Sequence, residues 1–361
     1  MLIDFSDGDK KKMKSVGMNF NPTKMSGSLF IQNKEPVFHL MNHPSIEVLD
    51  MKTALKKYHG LKKYYWKLIK PEQDEYTLQT SKDLHQGYFI RSKPGCKVTI
   101  PVQACLFIAR EKFSQNIHNI IIAEEGSELN IVTGCLSADY VKEALHIGIT
   151  EMYVKKGAKL SFTMVHNWGE NIKVRPRTAT QVEKNGTFLS NYICIKPVAD
   201  LQMSPACYLN GEKSVGRYNS LLYSYPNSNI DVGTKVFLQA KKARSEVVAK
   251  AICSGGEIVV RGYIKGMAPE ITSHLDCKGL ITAKNGRMRA IPELDACRPD
   301  LDMTHEAAIG KISQEQLEYL EARGLSEKES LSLITKGFLD ISSMNLPSGL
   351  DHQLIDYLET L

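Results

Sequence analysis

Two stretches, AEEGSELNIVTGC (123–135) and VKKGAKLSFTMVHNW (154–168), share one layout. In each, a pair of charged residues precedes a glycine, and a run rich in apolar residues follows it. Glycine accepts the positive φ that a tight corner of the chain requires. The layout therefore predicts a corner followed by a β-strand, and its recurrence predicts a repeated structural unit.

The same layout recurs on both sides of these stretches. The segments PGCKV, EGSEL, KGAKL and NGTFL place glycine at 95, 126, 157 and 186, at intervals of 31, 31 and 29 residues. KARSEV has Ala243 at the glycine position, 57 residues or about two periods later. An antiparallel sandwich also contains short strands and turns, but it would not explain so regular a period. We predict a mainly β protein, a right-handed parallel β-helix (solenoid) whose coils stack strand on strand.

Helical segments are expected at both ends of this solenoid. We predict a mixed α/β N-terminal segment (1–87), a β-helix core (88–310) and a C-terminal helical segment (311–361). Within the first segment, 46–71 has the apolar spacing of a helix, with basic residues between the apolar ones, and Pro71 ends it.

The C-terminal segment carries two helix-start signals. Ser313 and Ser326 each open a capping box, and Gly324 and Gly337 are expected to end the two helices. A short last helix is expected over 350–360. An apolar stripe along the hairpin comprises Leu317, Leu320, Leu325, Leu331, Ile334 and Phe338. Such a hairpin either caps the open end of the solenoid or docks a partner, and the sequence leaves both possibilities open.

Composition narrows the class of protein. Apolar content of 42% and charged content of 24% are ordinary for a soluble globular chain of 361 residues. The net charge of +6 is mild and scattered, so we expect no nucleic-acid partner. The sequence has no secretory signal and no apolar run of membrane-spanning length, so we expect a cytoplasmic protein and no membrane contact. Eight cysteines without framework spacing are then expected to be thiols.

One run, from 274 to 312, gathers candidate metal ligands. Thiolate, imidazole and carboxylate groups are the donors that iron–sulfur clusters and zinc accept. Their spacing matches no zinc finger, ferredoxin run or CxxC motif. The candidates in this run are Cys277, Glu293, Cys297, His305 and Glu306.

Several runs in collinear order resemble the SufB/SufD family, the β-helical scaffold subunits of the SUF iron–sulfur cluster assembly system. They are GYFIRSKPGCKVTIPVQ (87–103), HNWGE (166–170), GRYNSLLYSYPNSNIDVGTKV (216–236), THEAAIGKIS (304–313) and GLSEKESLSLITKGFLD (324–340). The resemblance covers roughly 85–361 and is closest to a compact, archaeal or minimal-system form of SufB.

The resemblance implies a non-catalytic scaffold that pairs with a SufC-type ABC ATPase, dimerises through the solenoid and passes a [2Fe-2S] or [4Fe-4S] cluster to apo-proteins. The C-terminal cysteine of the family falls on Cys277, and its His-Glu pair falls on His305 and Glu306. Many SufB chains carry a cysteine, thought to receive sulfur, where this chain has Gln181, which puts that route in doubt. The hairpin matches the ATPase-docking segment, and the chain has no Walker A motif of its own.

Some alternatives remain open at this stage. His305 and Glu306 are adjacent, so on a regular strand they would face opposite sides, and both could bind one cluster only at a bend or across a subunit interface. His274, three residues before Cys277, is a further candidate. A structural SufD-like subunit without a cluster would have the same fold, and a zinc-stabilised interaction protein would use similar ligands.

Overall fold

The computed structural model describes residues 5–339 together with 341, 344, 346, 350, 351 and 354. It is a β-solenoid of about eight turns, with 51% strand, 16% helix and helices at both ends, which confirms the predicted fold class. None of the helices in the described residues is long and apolar enough to cross a membrane.

Twenty strands and five α-helices make up the described chain. In chain order they are α1 (Asp7–Lys14), β1 (Gly27–Gln32), β2 (Glu35–Met41), β3 (Ile46–Asp50), α2 (Met51–Lys57), α3 (Glu75–Lys82), β4 (Tyr88–Ser92), β5 (Lys97–Ile108), β6 (Phe113–Ala123), β7 (Glu128–Ser137), β8 (Ala144–Val154), β9 (Lys159–Asn167), β10 (Ile172–Val182), β11 (Thr187–Cys194), β12 (Asp200–Met203), β13 (Ala206–Leu209), β14 (Val215–Ser224), β15 (Asn229–Leu238), β16 (Arg244–Cys253), β17 (Glu257–Gly266), β18 (Thr272–Ile281), β19 (Arg287–Ala296), β20 (Asp302–Lys311), α4 (Gln314–Glu321) and α5 (Glu327–Phe338).

Successive strands alternate between two facing sheets. The first sheet, here sheet A, has the order β2-β1-β5-β7-β9-β11-β14-β16-β18-β20, and sheet B runs β19-β17-β15-β12-β10-β8-β6-β4-β3, with β13 paired to β10 and β15. From β4 onward every pairing within either sheet is parallel. Side chains that point between the sheets form one continuous apolar core. Each coil buries its apolar side only against its neighbours, as a solenoid requires.

The corners of the coils repeat one backbone conformation. Positive φ occurs at Gly95, Gly126 and Gly157, and the later corners place non-glycine residues there: Asn185, Lys213, Lys242 and Glu270. From Gly95 to Lys242, the amide of each of these residues donates to a carbonyl of the next coil at 2.8–3.2 Å. The sequence prediction was therefore wrong by one residue in two coils. It placed the corner at Gly186 and Ala243, because glycine and small residues there resemble the earlier corners.

The N-terminal segment closes one end of the solenoid. β1 and β3 extend the two sheets, so the sheets begin before residue 88, and β2 and β3 pair antiparallel with their neighbours. The exposed edge strand β2 carries Pro36 and a register shift against β1. The helix predicted over 46–71 was wrong in its extent, because 46–50 is the strand β3 and α2 ends at Lys57.

A segment after α2, residues 58–70, packs over sheet B and is called the strap. Glu151 of β8 is fully buried and accepts four backbone N–H groups of the strap, from 66 to 69, at 2.5–3.2 Å. His118 Nε2 lies 2.9 Å from the same carboxylate, and the Tyr65 ring stacks on the imidazole. A buried carboxylate is tolerated where it is this fully hydrogen-bonded. Glu151 thus fixes four consecutive amides of the strap to the sheet.

Two further histidines lie inside the solenoid. His146 and His166 are buried, with Nδ1 atoms 2.9 Å from Gln115 Oε1 and from the Tyr192 hydroxyl, respectively. Burial lowers the pKa of His146 to about 3 and holds the pKa of His166 well below its ordinary value. Both rings are therefore neutral at physiological pH.

The C-terminal hairpin of α4 and α5 follows β20. Ser326 and Glu329 form the predicted reciprocal capping box of α5, and Gly324 adopts the positive φ that ends the preceding helix turn. The prediction that Gly337 ends α5 was wrong, since the helix continues to Phe338. Leu339, Ile341, Met344, Leu350 and Leu354 join the core of the solenoid. The helix expected over 350–360 lies mostly outside the described residues.

Candidate functional site at the open end

The thiol of Cys277 lies one strand from the open end of the solenoid. It is 2% exposed and points from β18 into the core, beside Leu275. Its neighbours across the two adjacent strands are Ala249 and Ala307. Burial, reinforced by the neighbouring Asp276 carboxylate, raises the pKa of Cys277 to about 11. With its side chain buried in this way, Cys277 is a protonated thiol. On the side of β20, its directly paired neighbour contributes only the methyl group of Ala307.

His305 shares the inner face with Cys277. The parallel register pairs His305 with Leu275 and Ala307 with Cys277, and directly paired residues of neighbouring strands point to the same side. His305 is nevertheless exposed, because β20 is the last strand of sheet A in the described chain. An imidazole and a thiol can thus approach one ligand placed at this end.

Glu306 faces the opposite side of the same strand. It pairs with Asp276, and within the described residues these two carboxylates and His274 form the one group of three potential metal ligands, with ligand atoms within 4.8 Å of one another. β20 has no bend between 302 and 311, so His305 and Glu306 diverge as regular strand alternation requires. Within one chain, sheet A separates Glu306 from the thiol of Cys277.

Glu293 and Cys297 belong to the other sheet. Glu293 is exposed on β19, where it pairs with Tyr263. Cys297 directly follows β19 as an exposed thiol, with its Sγ 3.9 Å from Asp295 Oδ1. The structure does not bring either residue into one group with Cys277 in a single chain.

The residues predicted to dock a partner lie on α4, on α5 and on the turn between them. They are all half-buried: Leu317, Leu325, Leu331, Ile334 and Phe338. Phe338 packs against the core of the solenoid. The apolar side chains that the hairpin exposes are Tyr319, at 57%, and Leu333, at 52%. The periodicity of the sequence identified the apolar stripe, but it could not show how far each of its side chains would be buried in the fold.

Asp276 was absent from the predicted ligands. The sequence did contain an indication of this residue. His274 and Asp276 are two residues apart, so on a strand they share one face, and Cys277 lies on the opposite face. The pairing with Glu306 depends on the register between β18 and β20, which chain spacing does not give.

The described residues thus form a β-solenoid with buried thiols, and N, O and S donors gather at its last strands. Known proteins show the family to which such a chain belongs. The family model for the SufBD core domain of SUF-system FeS cluster assembly matches residues 106–338. The chain belongs to the SufBD family, which implies involvement in iron–sulfur cluster assembly.

Relatives match over most of their length. An iron–sulfur cluster assembly SufBD family protein of Archaeoglobus fulgidus is 44% identical over 346 residues, covering 96% of this chain and 93% of the relative. One from Methanothermobacter thermautotrophicus is 41% identical, covering 93% of this chain and 83% of the relative. The iron–sulfur cluster assembly protein SufB of Bacillus subtilis is 30% identical, covering 87% of this chain and 69% of the relative.

Proposed function

We propose that this protein is a scaffold subunit on which iron–sulfur clusters are assembled, working with a SufC-type ABC ATPase and passing the cluster to apo-proteins. It is not itself a catalyst, and ATP is hydrolysed by the partner. The observation that carries the proposal is the position of Cys277 in a SufBD-family chain, on the inner face one strand from the open end. We place the protein in the cytoplasm.

The cluster, [2Fe-2S] or [4Fe-4S], is cargo that the chain binds and releases. Cys277 is the first ligand, and His305 is the second because it shares the inner face. Iron binding removes the proton of a coordinating thiol. The raised pKa of Cys277 therefore describes the protein without a cluster, and not the protein that holds one. Reaching the buried thiol requires β20 to move or a partner to open the last coil.

The other proposed ligands, Glu306, Cys297 and Glu293, point away from Cys277 within one chain. A homodimer joined at the open ends would bring further donors to the inner face, and it is the arrangement we propose. The long edges of β19 and β20 support it, because an unpaired edge is a template for pairing with another chain. A mixed ligand set would hold the cluster loosely enough for transfer.

The helical hairpin is the proposed docking surface for the ATPase. Its exposed Tyr319 and Leu333 support this proposal, because they offer apolar surface to a partner, and the predicted docking residues Leu317, Leu325, Leu331, Ile334 and Phe338 are half-buried beside them. Gln181 stands where many family members have a sulfur-accepting cysteine, so free sulfide or another thiol supplies the sulfur.

Anaerobic reconstitution with ferrous iron and sulfide tests the proposal. Visible absorption and Mössbauer spectra should show sulfide-to-iron charge transfer in the wild type and its loss in Cys277→Ala. Cys253→Ala is the matched control, since Cys253 is a buried thiol of the neighbouring strand in sheet A. This variant should keep the wild-type spectrum.

Two results would overturn the proposed scaffold function. A folded protein that stays colourless both alone and with the ATPase and ATP would indicate a structural SufD-like subunit. That alternative is favoured by the protonated, buried state of Cys277. Preference for zinc over iron in metal analysis would indicate the zinc-stabilised interaction protein.

A further inference from the structure

The outer face of sheet A at the open end carries a second group of donors. Asp276 on β18 pairs directly with Glu306 on β20, and His274 lies two residues before Asp276 on the same face. One ligand atom from each of the three residues lies within 4.8 Å of the other two. Metal–ligand bonds near 2.1 Å place two ligand atoms about 3–4 Å apart, so small side-chain rotations suffice to enclose an ion.

Asp276 is the unusual member of this group. The residue is only 7% exposed, and its Oδ1 atom is buried without a hydrogen-bond partner. Its Oδ2 atom accepts a hydrogen bond from Lys278 Nζ at 2.7 Å. A buried carboxylate oxygen without a partner is costly, and a cation bound beside it would remove that cost. Oδ1 is thus available to a ligand that the protein chain does not supply.

His274 is held in a suitable orientation for the same ligand. Its Nδ1 atom lies 2.9 Å from the Thr304 hydroxyl of the neighbouring strand, which leaves Nε2 for coordination. Histidines that bind metals usually hold the second ring nitrogen in such a hydrogen bond, which fixes the tautomer and the direction of the ring.

The two carboxylates also need a positive charge between them. Like charges directly opposite each other on neighbouring strands destabilise a sheet. Lys278 offsets the repulsion in part through its ion pair with Asp276, in which Nζ lies 2.7 Å from Oδ2. A cation bound by all three donors would take over the role that the lysine performs alone.

We infer that His274, Asp276 and Glu306 bind one divalent first-row transition cation, on the opposite side of β18 from the thiol of Cys277. One imidazole and two carboxylates suit Fe²⁺, Mn²⁺, Co²⁺ or Zn²⁺ better than the soft cations that thiolates select. The identity of the cation as ferrous iron rests on the proposed function. In that case the site holds iron at the open end before the iron meets sulfide and the thiol.

Co²⁺ is the probe for this site, because its absorption distinguishes oxygen and nitrogen ligands from sulfur. Titrating the full chain anaerobically should fill one site with ligand-field bands and without sulfur-to-cobalt charge transfer. Asp276→Asn should weaken Co²⁺ affinity at least tenfold, and Cys277→Ala should leave it unchanged. Asp300→Asn, an exposed carboxylate of the same end, is the matched control and should also leave it unchanged.

A variant that is expected to raise the Co²⁺ affinity keeps the test independent of folding. Lys278→Gln removes the competing positive charge and none of the ligands, so it should tighten Co²⁺ binding by about fivefold. Equal affinity in the wild type and Asp276→Asn, or a spectrum that depends on Cys277, would overturn the inference. The readout needs no cluster, so a chain that fails to form clusters can still support or refute this site.

Discussion

At its N-terminal end the solenoid finishes in short antiparallel strands beside a packed strap, whereas at its C-terminal end two ten-residue parallel strands, β19 and β20, have one sheet neighbour each in the described chain. In the N-terminal half, the buried Glu151 carboxylate of β8 accepts four backbone amides of the strap. Near the C-terminal end, His305, Glu306 and Cys297 are exposed. The potential ligand of the first region is therefore occupied by the chain itself, whereas those at the open end are accessible.

The largest expected effect comes from the strap. Glu151→Ala leaves four strap amides and His118 without their acceptor, which should lower the free energy of unfolding by about 3–5 kcal/mol. Urea unfolding measures this loss, and hydrogen exchange should show reduced protection of the strap. Glu125→Ala breaks only the exposed pair with Lys156 and should cost no more than about 1 kcal/mol. Equal costs would remove the distinction between buried and exposed carboxylates.

The interior histidines predict an acid limit. Because the pKa of His146 and of His166 is lowered on folding, the unfolded chain binds protons that the folded chain does not. Their effect is absent well above pH 6.5, and stability falls as pH drops from there toward 3. Together the two rings should remove about 2 kcal/mol of unfolding free energy between pH 6 and pH 5.

Urea unfolding at several pH values measures this slope. His166→Gln should reduce the part of the slope that His146 and His166 contribute by about half, because one of these two rings is lost. Tyr192→Phe deletes the hydroxyl bonded to His166 but keeps the ring, so it should retain the slope. An unchanged slope in His166→Gln would show that this histidine is not the source.

The proposed dimer gives a direct comparison of the two ends. Placing charge on the open edge with Ile309→Lys should weaken self-association about tenfold or more, since lysine on an edge opposes strand pairing. Val37→Lys makes the matched change on the exposed β2 strand of the closed end and should leave association unchanged. Sedimentation equilibrium measures both constants. A larger effect of Val37→Lys would place the interface at the closed end and contradict the proposed arrangement.

The corners give the smallest expected effect. Gly126→Ala forces a side chain into positive φ in otherwise open space and should cost about 1 kcal/mol. Lys213→Gly, at the equivalent corner of a later coil, relieves that strain and should stabilise by about 0.5 kcal/mol. Urea midpoints would separate the two signs. Destabilisation by Lys213→Gly would mean that the lysine side chain contributes more than its backbone strain costs.

The sequence was sufficient for the solenoid because the repeat is local. Each corner and each strand can be recognised within about ten residues, and the corners at 95, 126 and 157 were placed correctly. β3 was missed because Ile46–Asp50 continues without a break into a helix with the same apolar spacing. Its strand conformation is set by pairing with β4, which is not a local property.

The candidate site could be predicted only in part. The sequence located the run that holds Cys277, His305 and Glu306. Alternation within a strand also predicted correctly that the adjacent His305 and Glu306 face opposite sides of a regular strand. The sequence could not show that Asp276 meets Glu306, because the inter-strand register depends on the number of residues in two corners and an entire intervening strand. Burial of Cys277 likewise depends on its neighbours in space.

The bulged, proline-bearing β2 strand would limit the size of the assembly that we propose. A solenoid with two equivalent flat ends could stack head to tail without limit and form an open filament. In the described residues only one end presents long regular edges, so the proposed dimer would be isologous, with each copy offering the same strands. Such a contact would use up both open ends and close at two-fold symmetry, and β2 would terminate the proposed dimer on either side.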